Sequence, residues 1–285
     1  MYNLRYHIAS LVAVFLALTV GLLLGSIVVE RGLLTTQRTT LVEGLQTEFD
    51  TLRAESKDLK ATNDALASFT SEAAPRVVDG VLAGRTVIVI AGPGNADTAA
   101  RSAEAVRLAG GNVALATFKG PEFGLADETV AASTAKALGI TGPSLTATGV
   151  VYALAAEWST PGALRPMTAA LITSGALKLQ GLAATATVSG TVVTAVFGGT
   201  PDTWAMRLAG AMVDDTRFAL GADTTKRADG SAKAAKVAGL SGVDDVDTSL
   251  GHVSLAWILS GRASGLFGAG ADATVRYPSP LYPKL

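Results

Sequence analysis

The sequence predicts an α/β protein: an N-terminal transmembrane helix and a coiled coil, then an α/β domain with a mostly parallel sheet covered by helices. Three observations carry this. Residues 8–29 contain no formal charge. Leucine recurs every seventh residue from Leu45 to Leu66. Beyond residue 85, short β-branched apolar runs alternate with helix-like stretches bounded by glycine and proline, the pattern of strands joined by helical crossovers.

The charge-free run is long enough to span about 33 Å as a helix, which matches the hydrocarbon core of a bilayer. A cleavable signal has a shorter apolar stretch and a small-residue cleavage site, so the run reads as an uncleaved anchor at residues 8–29. Arg5 precedes the run, and Glu30 and Arg31 follow it. These few charges favour residues 1–7 on the cytoplasmic side and the bulk of the chain outside. Gly21 and Gly25 have the spacing that lets two membrane helices approach closely, although glycine is also common in such helices.

Residues 30–74 read as the coiled coil. With Leu45, Leu52, Leu59 and Leu66 at the d positions, the a positions are Val42, Phe49, Ser56 and Asn63. A strict period of seven keeps one seam facing a partner helix, and a polar Asn63 at a favours a parallel dimer in fixed register. A homodimer is the expected partner. Packing of this helix on its own domain, or on a different protein's helix, are the alternatives. Pro75 is expected to end the helix, because proline lacks the amide donor and crowds the preceding turn.

The α/β domain is expected over residues 75–276. Residues 86–90 read as a buried strand. Gly92-Pro93-Gly94 turns the chain, Asp97 caps a helix to residue 108, and 112–117 forms the next strand. Further strands are expected at 148–154, 191–197 and 217–220, and helices at 161–174, 202–214 and 248–259. Residues 277–285, rich in proline, read as an extended tail.

Candidate chemistry is sparse. Cysteine is absent and there are two histidines, which excludes thiolate metal sites, disulfides and cysteine nucleophiles. A net charge of −1 leaves no footprint for nucleic acid. The Gly92-x-Gly94 turn lacks the third glycine of a dinucleotide fingerprint, with Asp97 in its place, and no acidic residue ends the second strand. His252 reads as a helix residue. Met167, Met206 and Met212 read as core filler rather than Cu(I) ligands. Asp244, Asp245 and Asp247 form an acidic cluster without the spacing of a calcium loop; Asp247 is expected to cap the last helix. Lys226 and Arg227 follow a strand end, where open α/β folds bind ligands. Together with the three aspartates they form the candidate partner or ligand surface. No catalytic, cofactor or metal residues are expected, and the protein reads as a non-enzyme.

Residues 10–26, Ser-Leu-Val-Ala-Val-Phe-Leu-Ala-Leu-Thr-Val-Gly-Leu-Leu-Leu-Gly-Ser, resemble the anchor of the actinobacterial MctB family, named for copper transport. Residues 82–90 resemble its first strand, and Gly242-Val-Asp-Asp-Val-Asp247 before an apolar helix resembles its C-terminal signature. The order of anchor, coiled coil, α/β domain and acidic loop is shared. The resemblance implies one of two roles. SteB-type members are envelope scaffolds that act with a SteA-like membrane protein to recruit or activate a peptidoglycan hydrolase at cell division. The family name implies copper transport across an outer membrane. The first places the anchor in the inner membrane, the second in the outer. The family supplies no catalytic residues.

Overall fold

The computed structural model describes residues 4–30, 33–140, 145–226, 230–270 and 273–278. The chain divides into two units, Met1–Leu66 and Ala67–Leu285.

In the first unit, helix α1 (Leu4–Glu30) contains one segment, Leu4–Ile27, long and apolar enough to cross a membrane. Two of its hydroxyls bond to their own backbone: Thr19 Oγ1 donates to the Phe15 carbonyl at 2.7 Å and Ser26 Oγ to that of Leu23 at 3.0 Å. A polar side chain in lipid needs such an internal partner. Helix α2 is Leu33–Val78, with residues up to Leu66 counted in the first unit and the rest in the second. Its leucine seam is exposed in the single chain, at 54% for Leu45, 56% for Leu52, 65% for Leu59 and 56% for Leu66.

Pro75 does not end α2. The helix runs one turn further, to Val78. Proline removes the bond to the carbonyl four residues back and costs a helix about 3 kcal/mol. Ala74 and Val78 are both buried, and their burial holds the last turn against that cost. Gly80, with φ +67°, then turns the chain.

The second unit continues with β1 (Thr86–Ala91), α3 (Ala96–Leu108), β2 (Asn112–Phe118), α4 (Glu128–Ala137), α5 (Ala147–Ser159), α6 (Pro166–Thr173), β3 (Leu177–Gln180) and β4 (Val188–Val193). A small hairpin of β5 (Val196–Phe197) and β6 (Thr200–Pro201) follows. Then come α7 (Thr203–Ala211), β7 (Phe218–Ala222), α8 (Ser231–Val237), β8 (Ser241–Val243), α9 (Ser249–Leu259) and β9 (Leu266–Phe267). Seven strands form one sheet in the order β3-β2-β1-β4-β7-β8-β9. Among the described residues of this sheet, only β3 runs antiparallel to its neighbour.

Strand β1 is buried along its whole length, as a central strand of a parallel sheet must be. Its alternate residues feed two cores. Ile88 and Ile90 join Phe118, Leu154, Trp158, Leu171 and Leu208 on one face. Val87 and Val89 join Val78, Leu82, Val106, Leu255 and Leu259 on the other. Helices on both faces therefore cover the sheet, as the sequence predicts.

Several local expectations change. Residues 148–154 are not a strand but the first part of α5. Val150, Leu154 and Trp158 are fully buried at a spacing of four, while Tyr152 is 68% exposed; that is one apolar helical stripe. A short apolar run does not by itself distinguish strand from helix. The helix expected from 161 starts only at Pro166, after a turn at Gly162 with φ +65°. The expected strand 191–197 splits into β4 and β5. Asp97 is inside α3, whose N-cap is Asn95. Asp247 is not the cap of α9. Thr248 is, its Oγ1 accepting from Gly251 N–H at 3.0 Å.

Candidate functional site

Ligands of open parallel sheets sit beyond the carboxyl ends of the strands, where the strand order reverses. Here that point lies between β1 and β4, since β2 lies on one side of β1 and the later parallel strands on the other. The crevice is narrowed: a cavity of about 250 Å³ remains, lined by Pro93, Gly94, Asn95, Phe197 and Gly198. The β5–β6 hairpin lies over the first turn of the β1–α3 loop, so that a Cβ on Gly92 would stand 3.0 Å from the Val196 carbonyl and 3.1 Å from the Phe197 ring. The Asn95 amide donates to the Thr194 carbonyl at 2.5 Å, across the same gap. The hairpin thus covers Gly92, while Gly94 is open, with nothing within 4 Å of a Cβ placed on it.

Asp202 caps α7 from the end of this hairpin, its Oδ1 accepting from Trp204 N–H at 3.0 Å. Burial pushes its carboxyl pKa up, with a smaller contribution from the nearby Glu122 charge.

The acidic cluster lies further along the same edge, after β8, and each carboxylate serves a different loop. Asp244 accepts from the backbone N–H of Ala269 at 2.8 Å and of Gly270 at 3.2 Å. Gly270 leaves room for this approach, since a Cβ there would stand 2.5 Å from Asp244 Oδ2. Asp247 accepts from Thr225 N–H at 2.8 Å and from Thr225 Oγ1 at 2.7 Å. Asp245 is 5% exposed and packs under the start of α9, where Thr248 Oγ1 donates to its Oδ2 at 3.2 Å. Its Oδ1 meets no hydrogen-bond partner among the described residues. Beside them, buried Asp223 after β7 accepts from Ala232 N–H at 2.6 Å. The cluster thus ties the loops after β7, β8 and β9 to one another. Among the described residues, no three His, Cys, Asp or Glu side chains converge to hold a metal ion. Lys226 is exposed. Arg227 lies outside the described residues.

Burial pushes Asp245 up to about 6, aided by the charges of Asp244 and Asp247. Between the ordinary 3.8 and 6 the folded state holds a proton that the unfolded state has released. Stability therefore falls as pH rises through that window, and the full cost of the buried charge is present above it. Asp245→Asn mimics the protonated form. It is expected to raise stability at pH 7.5 by about 2–3 kcal/mol, with the gain shrinking toward zero near pH 4. Urea unfolding of both forms across pH 4–8 measures this. A variant less stable than the parent at pH 7.5 would contradict it.

His252, on α9, is held below its ordinary value by burial and stays neutral near pH 7. Met167, Met206 and Met212 are all in the core, at 7%, 3% and 3% exposure. An apolar groove between α3 and β2 is lined by Ala96, Ala99, Ala103, Val113 and Leu115, with Arg107 and Thr117 as its few polar groups. That is too little convergent polarity to orient a small molecule.

The other candidate surface is the α2 seam. Val42, Leu45, Phe49, Leu52, Ser56, Leu59, Asn63 and Leu66 are all exposed. The helix is uninterrupted through the whole seam, so all eight residues lie in the register their spacing predicts.

A family model described as "Copper transport outer membrane protein, MctB" matches residues 1–278. Proteins called Copper transporter MctB from Mycobacterium bovis and Mycobacterium tuberculosis are 33% identical over 124 residues, 43% of this chain. The match spans 39% of the length of these curated relatives. No solved structure matches the chain.

Proposed function

The chain belongs to the MctB family, and from that premise we propose that it is a membrane-anchored, non-enzymatic scaffold of the cell envelope. In this reading α1 sits in the inner membrane with its N-terminus inside. Two copies pair along α2. The α/β domain, outside the cytoplasm, recruits or activates a peptidoglycan hydrolase in cell division, and α1 meets a SteA-like membrane protein. The observation that carries the reading is the exposed leucine seam on an unbroken helix that follows the membrane segment. Such a seam is a protein-binding surface, not a catalytic one. In the α/β domain Asp244 and Asp247 are committed to tying loops, and the hairpin narrows the crevice at the strand ends.

The test is to crosslink the tagged full-length protein in its native membrane and identify what is recovered. A SteA-like protein together with a peptidoglycan hydrolase supports the scaffold. Self-oligomers alone, with copper retained through purification, overturn it.

The second reading, copper transport, is favoured by the names of the family and of its relatives. One membrane helix lines no pore, so transport would require several copies. Soft-metal binding requires clustered thioethers, imidazoles or thiolates. The methionines described above are buried core residues, and cysteine is absent. The purified full chain is therefore expected to bind Cu(I) no more tightly than about micromolar, a binding free energy near −8 kcal/mol. A tight stoichiometric site in a competition titration would favour transport.

A further inference from the structure

The leucine seam says that α2 seeks a helix; the charges beside it say which one. In a parallel two-stranded coil the residue at g of one helix meets the residue at e of the next heptad on its partner, five positions on. With Leu45 at d, the g positions carry Glu48 and Glu55 and the e positions carry Arg53 and Lys60. The offset from Glu48 to Arg53 is five, and so is that from Glu55 to Lys60. Both g residues are acidic and both e residues basic, so a second copy of this chain supplies the complementary charge at each point. All four side chains are exposed, and none of them is in an ion pair within the chain among the described residues.

We propose that α2 selects a second copy of this chain, parallel and in register, through reciprocal Glu48 to the partner's Arg53 and Glu55 to the partner's Lys60 ion pairs. This rests on the dimeric reading of α2 above and adds the code that chooses the partner. Two-fold symmetry makes each pair twice. Sliding one helix by a heptad keeps only Glu48 against the partner's Lys60 and the partner's Glu55 against Arg53, and it moves Asn63 off its own copy. An antiparallel pair sets g against g and e against e, which would bring acid to acid and base to base. The apolar seam supplies most of the affinity, and the charges supply register and choice. Exposed pairs are individually weak, but reversing them all replaces attraction with repulsion at four points.

The experiment uses two differently tagged full-length chains, co-expressed and purified from membranes in detergent. One charge variant carries Glu48→Lys with Glu55→Lys, the other Arg53→Glu with Lys60→Glu. Each variant with itself is expected to co-purify about tenfold less than the parent pair, whereas the two variants mixed together recover the parent level. Undiminished self-pairing of either variant overturns the charge code. So does failure of the mixed pair to recover, since the loss would then come from the helix and not from matching. A Leu52→Asp, Leu59→Asp control separates the two layers. If that control still co-purifies at the parent level, the seam itself is not the interface. If it is lost while the charge variants pair normally, the dimer stands and only the code fails.

Discussion

Replacing Glu157 with alanine is expected to destabilise the α/β domain by about 3–5 kcal/mol. This carboxylate is 7% exposed. Its Oε1 accepts from Met167 N–H at 2.6 Å, and its Oε2 from Thr168 N–H at 2.9 Å and Thr168 Oγ1 at 2.6 Å. It closes the N-terminus of α6 from a residue of α5, because Arg165, the residue at the cap position, makes no side-chain cap bond. The same hydroxyl of Thr168 receives the Trp158 indole N–H at 3.0 Å. Truncation leaves two backbone donors and one hydroxyl without their acceptor in a dry place, at about 1–3 kcal/mol each. Glu157→Gln keeps one acceptor oxygen but turns an amide N–H toward another donor, and should lose roughly half as much. For a domain of this size each kcal/mol moves Tm by about 2–4 °C. Near-ultraviolet circular dichroism, to which Trp158 contributes with the other two tryptophans, should therefore show the alanine variant melting about 6–20 °C below the parent. A Tm within about 2 °C of the parent would mean that the network stabilises nothing.

That network also shows where sequence reasoning stops. A strand at 148–154 would place Glu157 in a loop, where a carboxylate needs no explanation. The spacing of Val150, Leu154 and Trp158 fits a helix. The local β-branched residues and glycine favour a strand, a weak preference that tertiary burial overrides. The strands read correctly, β1, β2 and β7, contain runs of apolar residues that a parallel sheet buries on both faces. Those missed, β3, β6, β8 and β9, are four residues or fewer. Such short pieces exist only because a neighbour offers them a ladder. The candidate surface was legible to a similar depth. Composition located the acidic cluster, but only coordinates show that Asp244 and Asp247 spend their oxygens on backbone amides of other loops, contacts 22 to 26 residues apart. The hairpin over the crevice is least legible of all. Gly92-Pro93-Gly94 looks like a turn that admits a ligand, and nothing local reveals that Phe197, a hundred residues on, lies over it. The α2 heptad is the reverse case, because its spacing is local and the continuous helix keeps those residues along one exposed stripe.

Changing Leu52 and Leu59 together to aspartate should abolish self-association of the full chain. In the single chain these side chains are 56% and 65% exposed. A helix bearing four such leucines on one line gains its stability only when that line is covered, since propensity alone leaves helices in water marginal. Burying a leucine contributes about 2–3 kcal/mol. The double variant removes this at four points of a dimer and sets carboxylates there, where each must stay unpaired or protonate. The loss is at least about 8 kcal/mol, between five and six decades in Kd. Because the chain has no cysteine, a single Val42→Cys substitution reports the seam cleanly. In a parallel dimer in register it meets its own copy and forms a disulfide, and that crosslink should vanish from membranes when the aspartates are added. Light scattering in detergent should show the protein mass halved at the same time. Retention of both mass and crosslink would put the dimer contact elsewhere. A parent chain that is already monomeric would assign the seam to a helix of a different protein. The N-terminal half of the seam has Val42 and Phe49 at its a positions and the C-terminal half has Ser56 and Asn63. Binding energy is therefore concentrated in the half nearer the membrane segment in sequence. A single Leu52→Asp should consequently weaken association more than a single Leu59→Asp does, a ranking that follows from the a column alone and that equal effects at the two sites would contradict.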